Sequence, residues 1–177
     1  MNNFEIGILD FIKETFSSSF LDAFFSTITR FADHGIGWII VAVLLIAFKK
    51  TRKMGISMGI ALIIGYITGN MFLKNVVGRI RPYDFVGNVD LLVDRLSDFS
   101  FPSGHTLCSF EGAFTVFIRN KKWGIAAIVF AFLIALSRLY LYVHYPSDVL
   151  VGAIMGIVIA YLASFIVDKI YAKKSDS

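Results

Sequence analysis

The clearest feature of the chain is a run of twenty positions, Met54–Leu73, with no charged residue. A helix rises 1.5 Å per residue, so about 20 residues cross the roughly 30 Å hydrocarbon core of a bilayer. Val149–Val167 is a second such run. Trp123–Val143 is a third, interrupted only by Arg138. Gly35–Phe48 is a shorter fourth, extended by Lys49 and Lys50 snorkelling to the interface. A fifth runs from Ser103 to Ile118 and carries His105 and Glu111.

The first part of the chain has a different pattern. Phe4, Ile8, Phe11 and Ile12 recur at helical spacing, with Glu5, Asp10, Lys13 and Glu14 among them. That pattern predicts an amphipathic helix lying at the interface. Phe20–Phe31 reads as a further short helix, or as part of a bent first span. Residues 1–33 are therefore an amphipathic or first-span segment, and 34–177 the core of a single domain, 1–177. The expectation is an all-α, polytopic membrane helical bundle. It has about six transmembrane helical elements, the first short or partly interfacial. A soluble helical core would need uncharged helices buried on every side, in a chain too short to cover them.

Composition agrees with this reading. Charged residues make up 17% of the chain, against about 25% in soluble domains. A single cysteine, Cys108, excludes an intramolecular disulfide framework and a Cys-based zinc cluster. The net charge of +4 does not point to nucleic acid, because the basic residues fall in clusters between uncharged runs. Lys49, Lys50, Arg52 and Lys53 form one cluster, Arg119, Lys121 and Lys122 a second, and Lys169, Lys173 and Lys174 a third. Alternating spans put all three on one side, which the positive-inside rule makes cytoplasmic. The other side receives Lys74–Pro102, the His144 region and the connection around Asp33. Six spans would bring both chain ends to the cytoplasm; five would leave the N-terminus outside.

That outer side collects polar groups. Lys74 and Arg81 are seven apart, so a continuing helix would place them on one face, until Pro82 directs the chain away. Two cations on one face suit a phosphate. Pro102-Ser103-Gly104-His105 reads as a helix start with Pro in the first turn. Open N–H groups at Gly104, the Ser103 hydroxyl and the helix N-terminus all favour an anion that His105 can also reach. Pro146 reads as a first-turn proline of the last span, so Asp148 lies in its first turn and can reach back to His144. An Asp on one imidazole nitrogen leaves the other free to act. Arg138 near a span end needs an anionic partner or a route to the interface. Asp84, Asp90, Asp94 and Asp98 read as solvated loop charges. Tyr140, Tyr142 and Tyr145 read as interfacial aromatics. Taken singly, each cluster also has a plainer reading, as interfacial anchors, an ordinary helix start, or a capping Asp beside a surface His.

Taken together, Lys74…Arg81-Pro82, Pro102–His105 and Ser137-Arg138…His144…Asp148 resemble the three signatures of the type-2 phosphatidic acid phosphatase superfamily. The resemblance covers about the last two thirds of the chain. It implies a metal- and cofactor-independent lipid phosphatase acting through a phosphohistidine. In that scheme His144, oriented by Asp148, is the nucleophile and His105 the acid. Lys74, Arg81, Ser103, Gly104 and Arg138 bind phosphate. The small size and short loops resemble bacterial members that dephosphorylate undecaprenyl pyrophosphate at the outer face of the cytoplasmic membrane. Phosphatidylglycerophosphate or phosphatidic acid hydrolysis, and lipid phosphotransfer, stay open within the same chemistry. A non-catalytic anion transporter stays open outside it.

Overall fold

The computed structural model describes residues 2–87 and 89–175, with the backbone only for Asn2, Lys174 and Ser175. The side chain of Lys174, the end of the third basic cluster, lies outside what is described. The helices are α1 Asn2–Phe16, α2 Ser19–Thr29, α3 Ile36–Ala47, α4 Arg52–Gly65, α5 Lys74–Val77, α6 Pro82–Val86, α7 Gly104–Arg119, α8 Lys121–Tyr140 and α9 Pro146–Ser175. A 3₁₀ turn, Arg30–Gly35, joins α2 to α3, and a π-helical segment, Tyr66–Leu73, joins α4 to α5. No strand occurs among the described residues. The fold is the all-α membrane bundle that the pattern predicts.

The spans differ in detail from the expectation. Four continuous helical stretches are long and apolar enough to cross a membrane: Ser19–Ala47, Arg52–Val86, Lys121–Tyr140 and Pro146–Lys173. The centrally placed α7 has 16 residues and packs against α4, α8 and α9. Phe20–Phe31 and Gly35–Phe48, separate in the pattern, are two arms of one kinked stretch. Asp33 leaves the helical region (ψ 121°), and His34 (φ 51°) and Gly35 (φ 71°) are left-handed. Such residues break the helical hydrogen-bond ladder, and glycine adopts this conformation without a Cβ penalty.

The N-terminal helix α1 lies across one end of the bundle; it buries Glu5 and Leu9, while Phe4 and Phe11 of the expected apolar face are exposed. Leu9 is fully buried in a cluster with Tyr83, Tyr142 and Val143. Lys13 Nζ donates to the Asp90 carbonyl at 3.2 Å, and the Tyr142 hydroxyl donates to Asp10 Oδ1 at 2.7 Å. α2 stays at the same end: Asp22 accepts from the Tyr140 hydroxyl at 2.5 Å and Thr29 from Arg138 at 2.6 Å. At the other end, Lys49, Lys50, Arg52, Lys53, Arg119 and Tyr171 line one cavity of about 770 Å³. The N-terminal helix and the end of α9 therefore sit at opposite ends. Of the about six spanning elements expected, four stretches among the described residues are long and apolar enough to cross.

Close helix approach follows from small residues. A Cβ at Gly152 would lie 2.8 Å from the Ser103 carbonyl oxygen, and one at Gly156 2.6 Å from that of Leu107. This glycine pair thus serves α7–α9 packing inside the chain. The Trp38 indole donates to Ser109 Oγ at 3.2 Å, and its ring would stand 2.1 Å from a Cβ at Gly112. Gly112→Ala should destabilise the fold by about 1–3 kcal/mol, the usual range for overpacking. Thermal unfolding in detergent checks this against Gly59→Ala, where a Cβ meets nothing within 4 Å.

Tyr140, Tyr142 and Tyr145 are buried rather than interfacial, because α1 and α2 cover the loop that carries them. Glu111 of the fifth run is buried against Gly65, and its Oε1 has no hydrogen-bond partner among the described residues.

Candidate active site

The chain enters the site from the π-helical segment, whose last residue precedes Lys74. Lys74 and Arg81 do not share a helical face as predicted. α5 ends at Val77, Gly78 is left-handed (φ 59°), and Arg81 is extended (φ −71°, ψ 153°). The turn at Gly78 requires a glycine-compatible conformation. It folds Arg81 back so that both cations meet one carboxylate. Lys74 Nζ donates to Asp98 Oδ2, and Arg81 Nη2 donates to Asp98 Oδ1 at 2.5 Å. Arg81 Nε also donates to the Asp98 carbonyl at 2.8 Å, and Nη1 to the Val143 carbonyl at 2.8 Å.

Asp98 is thus not a solvated loop charge. Burial alone would raise its carboxyl, but Lys74 and Arg81 outweigh burial and hold it at about 2. A depressed carboxylate stabilises the fold above the ordinary Asp range and loses that contribution as pH falls through its folded value. The clamp is therefore intact near neutrality and opens only in strong acid.

His144 is buried at the centre. Its Nε2 lies 3.3 Å from Arg81 Nη1, and its Nδ1 lies 3.4 Å from Ser100 Oγ and 3.6 Å from Asp148 Oδ2. The last separation exceeds a hydrogen bond. Burial lowers His144 well below the ordinary histidine range, and Arg81, Arg138, Lys74 and His105 push the same way. The imidazole is therefore neutral at pH 7, with Nε2 turned to the cations. Asp148 is fully buried in the first turn of α9. Its Oδ2 accepts from Ser100 Oγ at 2.5 Å and the Tyr145 amide at 3.0 Å; its Oδ1 accepts from Arg79 Nη1 at 2.5 Å.

The start of α7 supplies the next groups. Gly104 is its first residue, Ser103 its N-cap, and Pro102 lies before the cap rather than in the first turn. Pro102 directs the entering chain, while the Ser103 side chain takes the capping role. Ser103 Oγ accepts from the Thr106 amide at 3.4 Å and the Thr106 hydroxyl at 3.0 Å, which leaves its own proton to donate. A Cβ at Gly104 would stand 2.8 Å from Asn70 Oδ1 of the π-helical segment, so the Asn70 side chain would have to shift to admit one. His105 Nε2 lies 2.8 Å from Asp33 Oδ1 at the α2–α3 kink. Arg138 is buried, with Nη1 on Thr29 Oγ1 and Nε without a hydrogen-bond partner.

Five groups here were not singled out by the pattern: Arg79, Asp98, Ser100, Asp33 and Thr29. Arg79 had a signal, since it lies between Lys74 and Arg81 in one basic stretch. Asp33 and Ser100 had none, because their partners lie 72 and 48 residues away.

Membrane-length helices thus bring a buried imidazole, three cations and an aspartate together at one end of a helical bundle. The chain belongs to the PAP2 superfamily, which its residues 53–171 match. It is 40% identical over 127 residues to an undecaprenyl-diphosphatase of Sulfolobus acidocaldarius, a match covering 71% of this chain and 61% of that one. It is 31% identical to the undecaprenyl-diphosphatase BcrC of Bacillus subtilis, covering 82% and 74%. Among solved structures, Aquifex aeolicus LpxE superposes with a TM-score of 0.74 at 26% identity, over 89% of this chain and 92% of that one. A PAP2-type phosphatidylglycerolphosphate phosphatase from Bacillus subtilis superposes with a TM-score of 0.77 at 25% identity, over 95% and 86%. The chain is thus a multi-pass membrane protein.

Proposed function

We propose that the protein is a membrane lipid phosphatase that hydrolyses undecaprenyl pyrophosphate to undecaprenyl phosphate, without a metal, through a phosphohistidine. The observation that carries this reading is a buried, neutral His144 whose Nε2 faces Arg81, with Asp148 and Ser100 behind Nδ1. The names of the relatives from Sulfolobus acidocaldarius and Bacillus subtilis support the substrate.

In this reading Lys74, Arg81, Arg138, Ser103 and the Gly104 amide hold the phosphoryl oxygens and their developing charge. His144 Nε2 attacks the terminal phosphorus. The bond to the bridging oxygen breaks, and that oxygen takes a proton from His105, whose Nε2 Asp33 Oδ1 meets at 2.8 Å. Water then attacks the phosphohistidine, His105 takes its proton, and inorganic phosphate leaves with Nε2 restored. Lys49, Lys50, Arg52, Lys53 and Arg119 lie at the far end of the bundle, which supports, by the positive-inside rule, a site on the extracytoplasmic face of the cytoplasmic membrane.

The deciding experiment is phosphate release by the detergent-purified protein with excess chelator. Undecaprenyl pyrophosphate, phosphatidylglycerophosphate and phosphatidic acid are assayed in parallel. Highest turnover on the first supports the reading. Preference for another lipid overturns the substrate, loss in chelator overturns metal independence, and no turnover on any overturns hydrolysis in favour of transfer or anion passage.

Asp98 bears on the same site, since its two oxygens lie where two cations await phosphoryl oxygens. A phosphate entering there competes with it. Asp98→Asn should therefore tighten inhibition by inorganic phosphate several-fold. An unchanged inhibition constant would show that Asp98 stays in place when phosphate binds.

A further inference from the structure

We infer that Glu5 of the N-terminal helix is a positioning residue for the reaction, acting through Arg79 on Asp148 and so on His144. Glu5 lies outside the residues that match the family, 53–171. The inference rests on the reading of His144 as nucleophile.

Glu5 is the polar group that α1 drives deepest into the bundle, at 7% exposure. Its Oε2 accepts from Arg79 Nη2 at 2.5 Å, and its Oε1 accepts from the Ser147 amide at 2.9 Å, next to Asp148. Burial would raise this carboxyl, but the Ser147 and Arg79 bonds lower it, so it is ionised near neutrality. Arg79 Nη1 carries the other half of the contact, to Asp148 Oδ1 at 2.5 Å and Ser147 Oγ at 2.6 Å. The guanidinium lies over the Tyr145 ring at 3.8 Å, which fixes its plane. One arginine is therefore shared between two buried carboxylates.

Sharing has an electrostatic consequence. A lone Arg79 would neutralise Asp148 and leave little negative field for His144. With Glu5 on its other edge, the three groups carry one net negative charge, and Asp148 keeps its attraction for a cationic imidazole. That attraction matters when the ring gains positive character on forming the phosphohistidine. The α1 helix also grips the far end of the same loop, through Asp10 and the Tyr142 hydroxyl at 2.7 Å. Tyr142 is left-handed (φ 61°) two residues before His144, so α1 braces the loop on both sides of the imidazole.

The charged and titratable groups facing His144 are Lys74 and Arg81 from the α5–α6 stretch, His105 from α7, Arg138 from α8 and Asp148 from α9. Glu5→Gln keeps the carbonyl that accepts from Ser147 and places an NH2 donor where Oε2 accepts from Arg79, so the charge and that bond are lost together. Arg79 then bonds Asp148 undivided, and His144 becomes harder to protonate. Full-length protein in detergent should show kcat about tenfold lower, the rate equivalent of one pKa unit in the pair. KM should be unchanged, and the acid limb of kcat/KM should move to lower pH. Glu5→Asp, which keeps the charge, should restore most of kcat. Ser147→Ala removes the competing Oγ on Arg79 and should shift the acid limb the same way by less. It serves as the test if Glu5→Gln does not fold. An unmoved acid limb in the folded variants, or a loss expressed only in melting temperature, makes α1 a structural brace and overturns the inference. Radiolabelled substrate trapped on wild-type protein separates the two readings. Label at His144 with an unmoved acid limb sinks only the Glu5 role. No label at His144 sinks the nucleophile, and this inference with it.

Discussion

His144→Ala should lower phosphate release by roughly 10³-fold or more, with no label trapped on the protein. The magnitude follows from position. Nε2 is the one imidazole nitrogen that faces the cations, and Nδ1 is backed by Ser100 and Asp148. Removing the ring deletes the group that forms the covalent bond, so binding of the lipid should persist while turnover does not. Melting temperature separates chemistry from folding, because an alanine here also leaves a cavity in a buried site. A variant that folds, binds lipid and turns over at the wild-type rate would rule out His144 as nucleophile. His105→Ala is the useful companion. If His105 is only the acid for the leaving oxygen, some label should still accumulate on His144.

Arg81→Lys should cost about 10²-fold in kcat/KM despite keeping the charge, in the range for loss of one transition-state donor. Arg81 makes directed contacts from three nitrogens. Nε meets the Asp98 carbonyl at 2.8 Å, Nη2 meets Asp98 Oδ1 at 2.5 Å, and Nη1 meets the Val143 carbonyl at 2.8 Å and His144 Nε2 at 3.3 Å. A lysine ammonium is a point charge and cannot span that fork. The buried Val143 carbonyl would lose its donor, and the backbone beside His144 would lose its anchor. Steady-state kinetics in detergent check this, with Lys74→Arg alongside. Lys74 makes its contact through one nitrogen, so its exchange should cost less. Equal losses in the two variants would mean that charge, and not fork geometry, is what the site uses.

The divide between what was legible and what was not follows interaction range. The spans were legible because a bilayer demands uncharged runs of about 20 residues, a constraint that acts on each segment separately. α1 was legible as a helix, but not its inward face: Glu5 and Leu9 are buried, while Phe4 and Phe11 are exposed. Nor was the side of the bundle on which α1 lies. It depends on Leu9 meeting Tyr83 and Val143, and on Glu5 meeting Arg79. Pro146 opening α9, with Asp148 in its first turn, was legible because proline and helix starts are local chemistry. The same logic failed at Pro102, where the cap Ser103 intervenes, and at Arg81, where the left-handed Gly78 ends the helix.

The sequence by itself determined that this is an apolar helical bundle with its cations, histidines and one first-turn aspartate gathered at helix ends. Those properties come from residue type and spacing along single segments. Only the tertiary structure decided how the charges pair. Asp98 takes Lys74 and Arg81, Arg79 is divided between Glu5 and Asp148, and Asp33 meets His105. A charge in water pairs weakly with whatever passes, whereas a charge desolvated inside the bundle must take a definite partner. That partner is set by which helices the packing brings side by side, and small residues such as Gly65, Gly112, Gly152 and Gly156 decide how closely they approach.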